Sequence, residues 1–136
     1  MVLSQENDFA IFSFTKPILL ITVKKATPTA TEWKWTKDTM VCYYKSFEIT
    51  NAKISIIFDL NNLGLLDISI FRDWANLFIE YKSYTEKYIH RTSIITNNII
   101  IKTSLNLFFK IYTTVRPMKF VDSMEDAEEF VKEELK

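Results

Sequence analysis

The run Ile54-Ser55-Ile56-Ile57-Phe58-Asp59-Leu60 constrains this chain more than any other stretch. Its β-branched and aromatic residues follow one another with almost no polar alternation, the pattern of a strand buried on both faces. Such a strand belongs in the middle of a sheet, and the other elements have to be arranged around it. At 136 residues the chain has the size of one domain, and 48% hydrophobic residues supply its core. Neither an internal repeat nor a Pro/Gly/Ser-rich break divides it. A single domain over residues 1–136 is expected, with residues 1–8 as a loose N-terminal segment.

The flanking patterns alternate between strand and helix. Phe9 to Phe14 and Ile18 to Val23 are short β-prone runs, and Lys16-Pro17 between them marks a hairpin turn, because Pro17 has no amide donor and a fixed φ. Thr29 or Thr31 can cap a helix that carries Trp33, Met40, Tyr44 and Phe47 on one stripe. Beyond the central strand, Asn61, Asn62 and Gly64 make a loop. Phe71, Trp74, Phe78 and Tyr81 then define a second amphipathic helix running toward Tyr88. Arg91 to Thr96 is a strand, and Asn97 or Asn98 caps a third helix with Ile101, Leu105, Phe108 and Tyr112 on one face, ended by Arg116-Pro117. Met118 to Val121 is the last strand. Asp122 and Glu125 resemble a capping box for a terminal helix burying Ala127, Phe130, Val131 and Leu135. The order ββαβαβαβα predicts an α/β fold: a mostly parallel sheet with an antiparallel N-terminal edge hairpin and helices packed on it. In parallel sheets ligands favour the carboxyl ends of the strands, which directs attention to the loops after Leu60 and after Thr96.

Several classes of chemistry find no support in the residues. Seventeen basic and seventeen acidic side chains leave no net charge to attract nucleic acid, although residues 122–136 carry seven acids against two lysines. The longest apolar runs fall far short of the roughly 20 residues that span a bilayer, so no transmembrane segment is expected. A lone cysteine and the absence of a signal-peptide pattern point to a reducing, cytoplasmic setting. Gly64 is the only glycine, which argues against a glycine-rich phosphate loop. Cys42 and His90 are each the only residue of their kind, so neither zinc ligation nor a Cys-His nucleophile is indicated, and no cofactor is expected. Asp59, ending the central strand, and Asp67, before the second helix, could pair for acid-base work or cation binding. The same positions suit a loop cap and a helix N-cap, the reading preferred here. Trp33 and Trp35 lie about 200° apart around one helix and cannot both face inward, which makes Trp35 the candidate interface residue.

The segment from Phe58 to Phe71, Phe-Asp-Leu-Asn-Asn-Leu-Gly-Leu-Leu-Asp-Ile-Ser-Ile-Phe, resembles the strand, loop and helix start of the STAS family. There Asp-Leu is followed several residues later by Asp-Ser-Ser-Gly-Leu. The resemblance implies that Asp59 stands for the strand-end aspartate, Asp67 for the motif aspartate, and Ser69 for the position where anti-sigma-antagonist members accept a phosphate. Ile68 and Ile70 occupy the family's small-residue and glycine positions. Tyr88 to Asn97, Leu105 to Phe109, and Arg116 to Val121 with Met124 to Phe130 in turn resemble a bacterial STAS-like, CRAL-TRIO-related family. The function so implied is that of a noncatalytic interaction module, docking on a protein partner or assembling with itself. Two alternatives stay open: a phosphorylation-controlled switch at Ser69, with helix capping as that residue's preferred use, and a small binder of lipid or other hydrophobic ligands. A cavity lined by Phe and Tyr beneath the second and third helices would favour the binder, and a solid core with an exposed apolar patch would favour docking.

Overall fold

The computed structural model describes residues 3–64, 68–111 and 116–132, with side chains described over 4–64, 68–107 and 116–132. Its strands are β1 (Leu3–Glu6), β2 (Ala10–Thr15), β3 (Ile18–Val23), β4 (Ile54–Asp59), β5 (Ile89–Ile95) and β6 (Met118–Val121). Its helices are α1 (Ala30–Thr50), α2 (Ile68–Glu80), α3 (Lys82–Tyr88), α4 (Ile99–Ile111) and α5 (Met124–Lys132). All six strands join one sheet in the order β1-β2-β3-β4-β5-β6. The first three form an antiparallel meander, and β3 to β6 run parallel. The expected α/β architecture is therefore present, with the antiparallel edge one strand wider than the hairpin predicted.

Because the parallel strands follow one another in sequence order, the right-handed crossovers through α1, through α2 and α3, and through α4 all fall on the same side of the sheet. Leu19, Ile21, Ile54, Ile56, Phe58, Ile89 and Ile94 bury their side chains on this side, together with Met40, Tyr44 and Phe47 of α1. The alternate residues Ile57, Ile95 and Val121 form a second cluster with Ala127 and Val131 of α5, which covers the other side. This explains β4: its first five residues are all buried, because helices cover it on both sides. Ser55 and Ser93 fit into the second layer because their hydroxyls donate to backbone oxygens of α5, Val131 at 3.4 Å and Ala127 at 3.1 Å.

Four local expectations change. Residues 3–6 form an edge strand rather than part of a loose segment. Leu-Ser-Gln-Glu has no apolar alternation to announce a strand, and it is held by backbone pairing with β2 and by Asn7, whose Oδ1 accepts from the amides of Phe9 (2.9 Å) and Ala10 (2.8 Å). The second predicted helix breaks at Tyr81, which turns the chain so that its ring stacks on Tyr44 at 5.3 Å and 3°. β5 begins at Ile89, two residues early, through pairing with Ile54. The start of α5 is capped by Ser123, whose Oγ accepts from the amide of Asp126 at 3.1 Å, instead of by Asp122, which is spent on the turn out of β6. Phe108, Tyr112 and Leu135, predicted core residues, lie outside the described side chains. Thr29 caps α1 as expected, in a reciprocal box with Glu32.

Candidate functional site

The helix-bearing side of the sheet is incompletely filled. A partly open cavity of about 90 Å³ lies between the sheet and α2, and almost none of the surface facing it is polar. Its floor is the sheet, through Ala10, Ile21, Phe58, Ile94 and Met118, and its roof is α2, through Phe71, Trp74 and Phe78. α1 contributes Trp33 and Thr36, α4 contributes Leu105, and the loop after β4 closes one end with Leu60 and Leu63. The sequence explains the gap. Ala10 is fully buried where its neighbour on the same strand face, Phe12, fills the space with a ring. Large aromatics of roof and floor meet edge to face: Trp74 stands at 84° to Phe58 of the floor and 87° to Phe78 of the roof. Edge-to-face rings keep their centroids several ångströms apart, and the space beside them is left unfilled.

The cavity stops short of α3. There Tyr44, Tyr81, Tyr84 and Tyr88 make a closed aromatic cluster, and the Tyr84 hydroxyl donates to Glu48 at 2.8 Å. Burial pushes the Tyr44 phenol up to about 12, partly offset by its hydrogen bond with Thr85. On the α1 side the wall is braced by polar contacts. Trp33 Nε1 donates to Asp73 Oδ2 at 3.2 Å, and Lys37 Nζ donates to the same oxygen at 3.0 Å while lying 5.9 Å from the Trp33 ring centre. The hydrogen bond from Lys37, then that from Trp33, hold the Asp73 carboxyl below the ordinary carboxylate range.

Asp59 sits at the end of β4 and accepts from the amide of Asn61 at 3.2 Å, the loop-capping geometry preferred above. Asp67 lies outside the described residues. Ser69 is exposed and is the second residue of α2, inside the helix rather than at the N-cap expected for it. Neither Asp59 nor Ser69 lines the cavity. Trp35, the candidate interface residue, is half-buried rather than fully exposed, with its ring 5.9 Å from Phe12 at 74°. The broad sheet surface under α1 accommodates both flanks of the helix, with Trp35 over β2 and Trp33 over the cavity. Cys42 is exposed on α1, and among the described residues no group of three or more His, Cys, Asp or Glu could hold a metal. No described helix is long and apolar enough to cross a membrane. Of the carboxyl-end loops singled out from the sequence, the one after Leu60 reaches the cavity and the one after Thr96 does not. Asp73 and Lys37 escaped the sequence reading. The only signals were Asp73 beside Trp74, and Trp33 and Lys37 one helical turn apart.

Mixed strands in this order, three crossovers on one side and a terminal helix on the other, define a SpoIIAA-like, that is STAS-like, α/β domain. The chain is similar in structure to an uncharacterized protein of the DUF3478 family from Shewanella loihica PV-4, whose crystal structure has a SpoIIAA-like fold. The TM-score is 0.60 at 13% sequence identity, covering 96% of this chain and 92% of the other. That likeness is one of fold, and it bears on the STAS-like architecture rather than on the CRAL-TRIO relationship. No protein-family model matches the sequence, and neither does any curated protein sequence.

Proposed function

We propose that this chain is a noncatalytic binding domain whose site is the cavity under α2, and that the site takes a small neutral apolar group. The observation that carries this is the lining: a space of about 90 Å³ faced almost wholly by carbon. It is of the same order as the roughly 150 Å³ apolar cavity that admits benzene in an engineered protein. Thr36, the lining residue with a hydroxyl, donates to Glu32 O at 2.8 Å within its own helix and is not poised as a nucleophile. Of the alternatives drawn from the sequence, a hydrophobic-ligand binder would be favoured by a space lined by Phe and Tyr below the second and third predicted helices, and the lining has Phe with Trp in place of Tyr.

Calorimetric titration with toluene tests the reading. Saturable one-to-one binding with a Kd on the order of 0.1 to 1 mM is expected, corresponding to about −5.5 to −4.1 kcal/mol. Ala10→Leu, which places three more carbons in the space, should weaken binding at least about tenfold while the protein stays folded by near-UV circular dichroism. Absence of saturable binding, or unchanged binding by the filled variant, would reject the site. A second reading, docking on a protein partner or another copy, is favoured by α4, where Ile99, Ile100 and Leu107 are 75%, 54% and 58% exposed. Sedimentation over a range of concentrations tests the self-association form of it, with a concentration-independent monomer as the contrary result.

A further inference from the structure

The apolar walls of the cavity restrain one another by contact alone, which is non-directional and tolerates displacement. Trp33 is different. Its ring stands 5.4 Å from Trp74 and 6.5 Å from Phe9, and its indole N–H is held by Asp73, a residue of the roof helix. Asp73 is held in turn by Lys37, one turn along α1 from Trp33. A directional bond therefore fixes the plane of one cavity wall and ties α1 to α2 at the same point. Asp73 precedes Trp74 in the chain, so the bond to Trp33 is made beside the second indole that borders the space.

We propose that Asp73 is the size-selecting positioning residue of this site: by holding Trp33 against Trp74 it restricts the cavity to single-ring or short branched hydrocarbon groups. Without that bond the Trp33 ring can rotate away from Trp74, and a fused-ring hydrocarbon gains room. The ligand class follows from the same lining. With almost no polar surface facing the space, a hydroxyl, amide or charge carried inside would lose its water and gain no partner. The proposal rests on the cavity being the binding site.

The test compares toluene with naphthalene by calorimetry on the full chain, in the wild type, Asp73→Ala and Asp73→Asn. In the wild type toluene should bind at least about tenfold more tightly than naphthalene, a difference of about 1.4 kcal/mol. Asp73→Ala should move the ratio at least fivefold toward naphthalene. Asp73→Asn, which keeps an oxygen for the Trp33 indole, should retain the wild-type ratio within about twofold. Hydrogen exchange of Trp33 Nε1–H, followed by NMR without ligand, should accelerate in Asp73→Ala and not in Asp73→Asn. An unchanged toluene-to-naphthalene ratio in Asp73→Ala, or an equal loss of affinity for both, would overturn the proposal and leave the site standing. So would equal indole exchange in the wild type and Asp73→Ala. If wild-type protein bound neither hydrocarbon, the site itself would fall, and this proposal with it.

Discussion

At the scale of single residues, two positions show how little of a side chain's role its identity discloses. Gly64 has an ordinary negative φ, so its importance is space: an added Cβ would lie 2.8 Å from the Cβ of Ala26 and 3.2 Å from its carbonyl oxygen. The Gly64 amide donates to that oxygen at 2.9 Å, which joins the loop after β4 to the loop after β3 at the end of the cavity. Gly64→Ala should therefore destabilise the protein by about 1 to 3 kcal/mol in denaturant unfolding, as overpacking against backbone does. A change below about 0.5 kcal/mol would show that the loops part freely. Asp73 gives a pH dependence. Its folded carboxyl titrates below the ordinary 3.8, so the stabilisation it contributes is present above that value and is lost as pH falls through the depressed one. The group is half exposed, which limits the effect to less than about 1 kcal/mol. The gap in unfolding free energy between the wild type and Asp73→Asn should narrow between about pH 7 and the acid side of the carboxylate range. A gap that stays constant would mean the charge-assisted bond from Lys37 does not stabilise the fold.

At the scale of elements, β4 was the most legible because its signal is internal: five successive buried residues need no partner to be recognised. Phe58 is 7% exposed and meets Trp74 edge to face, so Phe58→Ala should cost about 3 to 5 kcal/mol. The cavity already removes contacts from one side of the ring, which places the expectation toward the lower end of that range. Denaturant midpoints check it, and a loss under about 1 kcal/mol would put the ring outside the core. Helix starts were legible where a capping side chain stands just ahead of an apolar stripe: Thr29 before α1, and Asn98, whose Oδ1 accepts from Ile100 N at 2.9 Å and Ile101 N at 3.3 Å. β1 and the break at Tyr81 were not legible, since both are fixed by contacts with distant residues, β2 in one case and Tyr44 in the other.

At the scale of the whole molecule, ligand binding and folding are linked. A hydrocarbon that fits the cavity binds only the folded chain, so toluene at ten times its Kd should raise unfolding free energy by about 1.4 kcal/mol. Thermal melts of the wild type and Ala10→Leu with and without toluene measure this, and an equal shift in both would place the effect outside the cavity. The sequence by itself determined the alternation of strands and helices from β2 onward, apart from the break at Tyr81, together with the central place of β4 and the α/β class, because hydrophobic period and capping chemistry act within a few residues of one another. It also identified Asp59 as a loop cap, which needs only Asn61 two positions on. Tertiary structure alone decided that Trp35 turns inward, that Ser69 lies within the first turn of α2, and that Asp73 joins Trp33 forty positions away. It alone decided the cavity as well. An unfilled volume is the difference between the space the backbone encloses and the side chains that enter it, and that difference exists only once sheet, α1, α2 and α4 have been brought together.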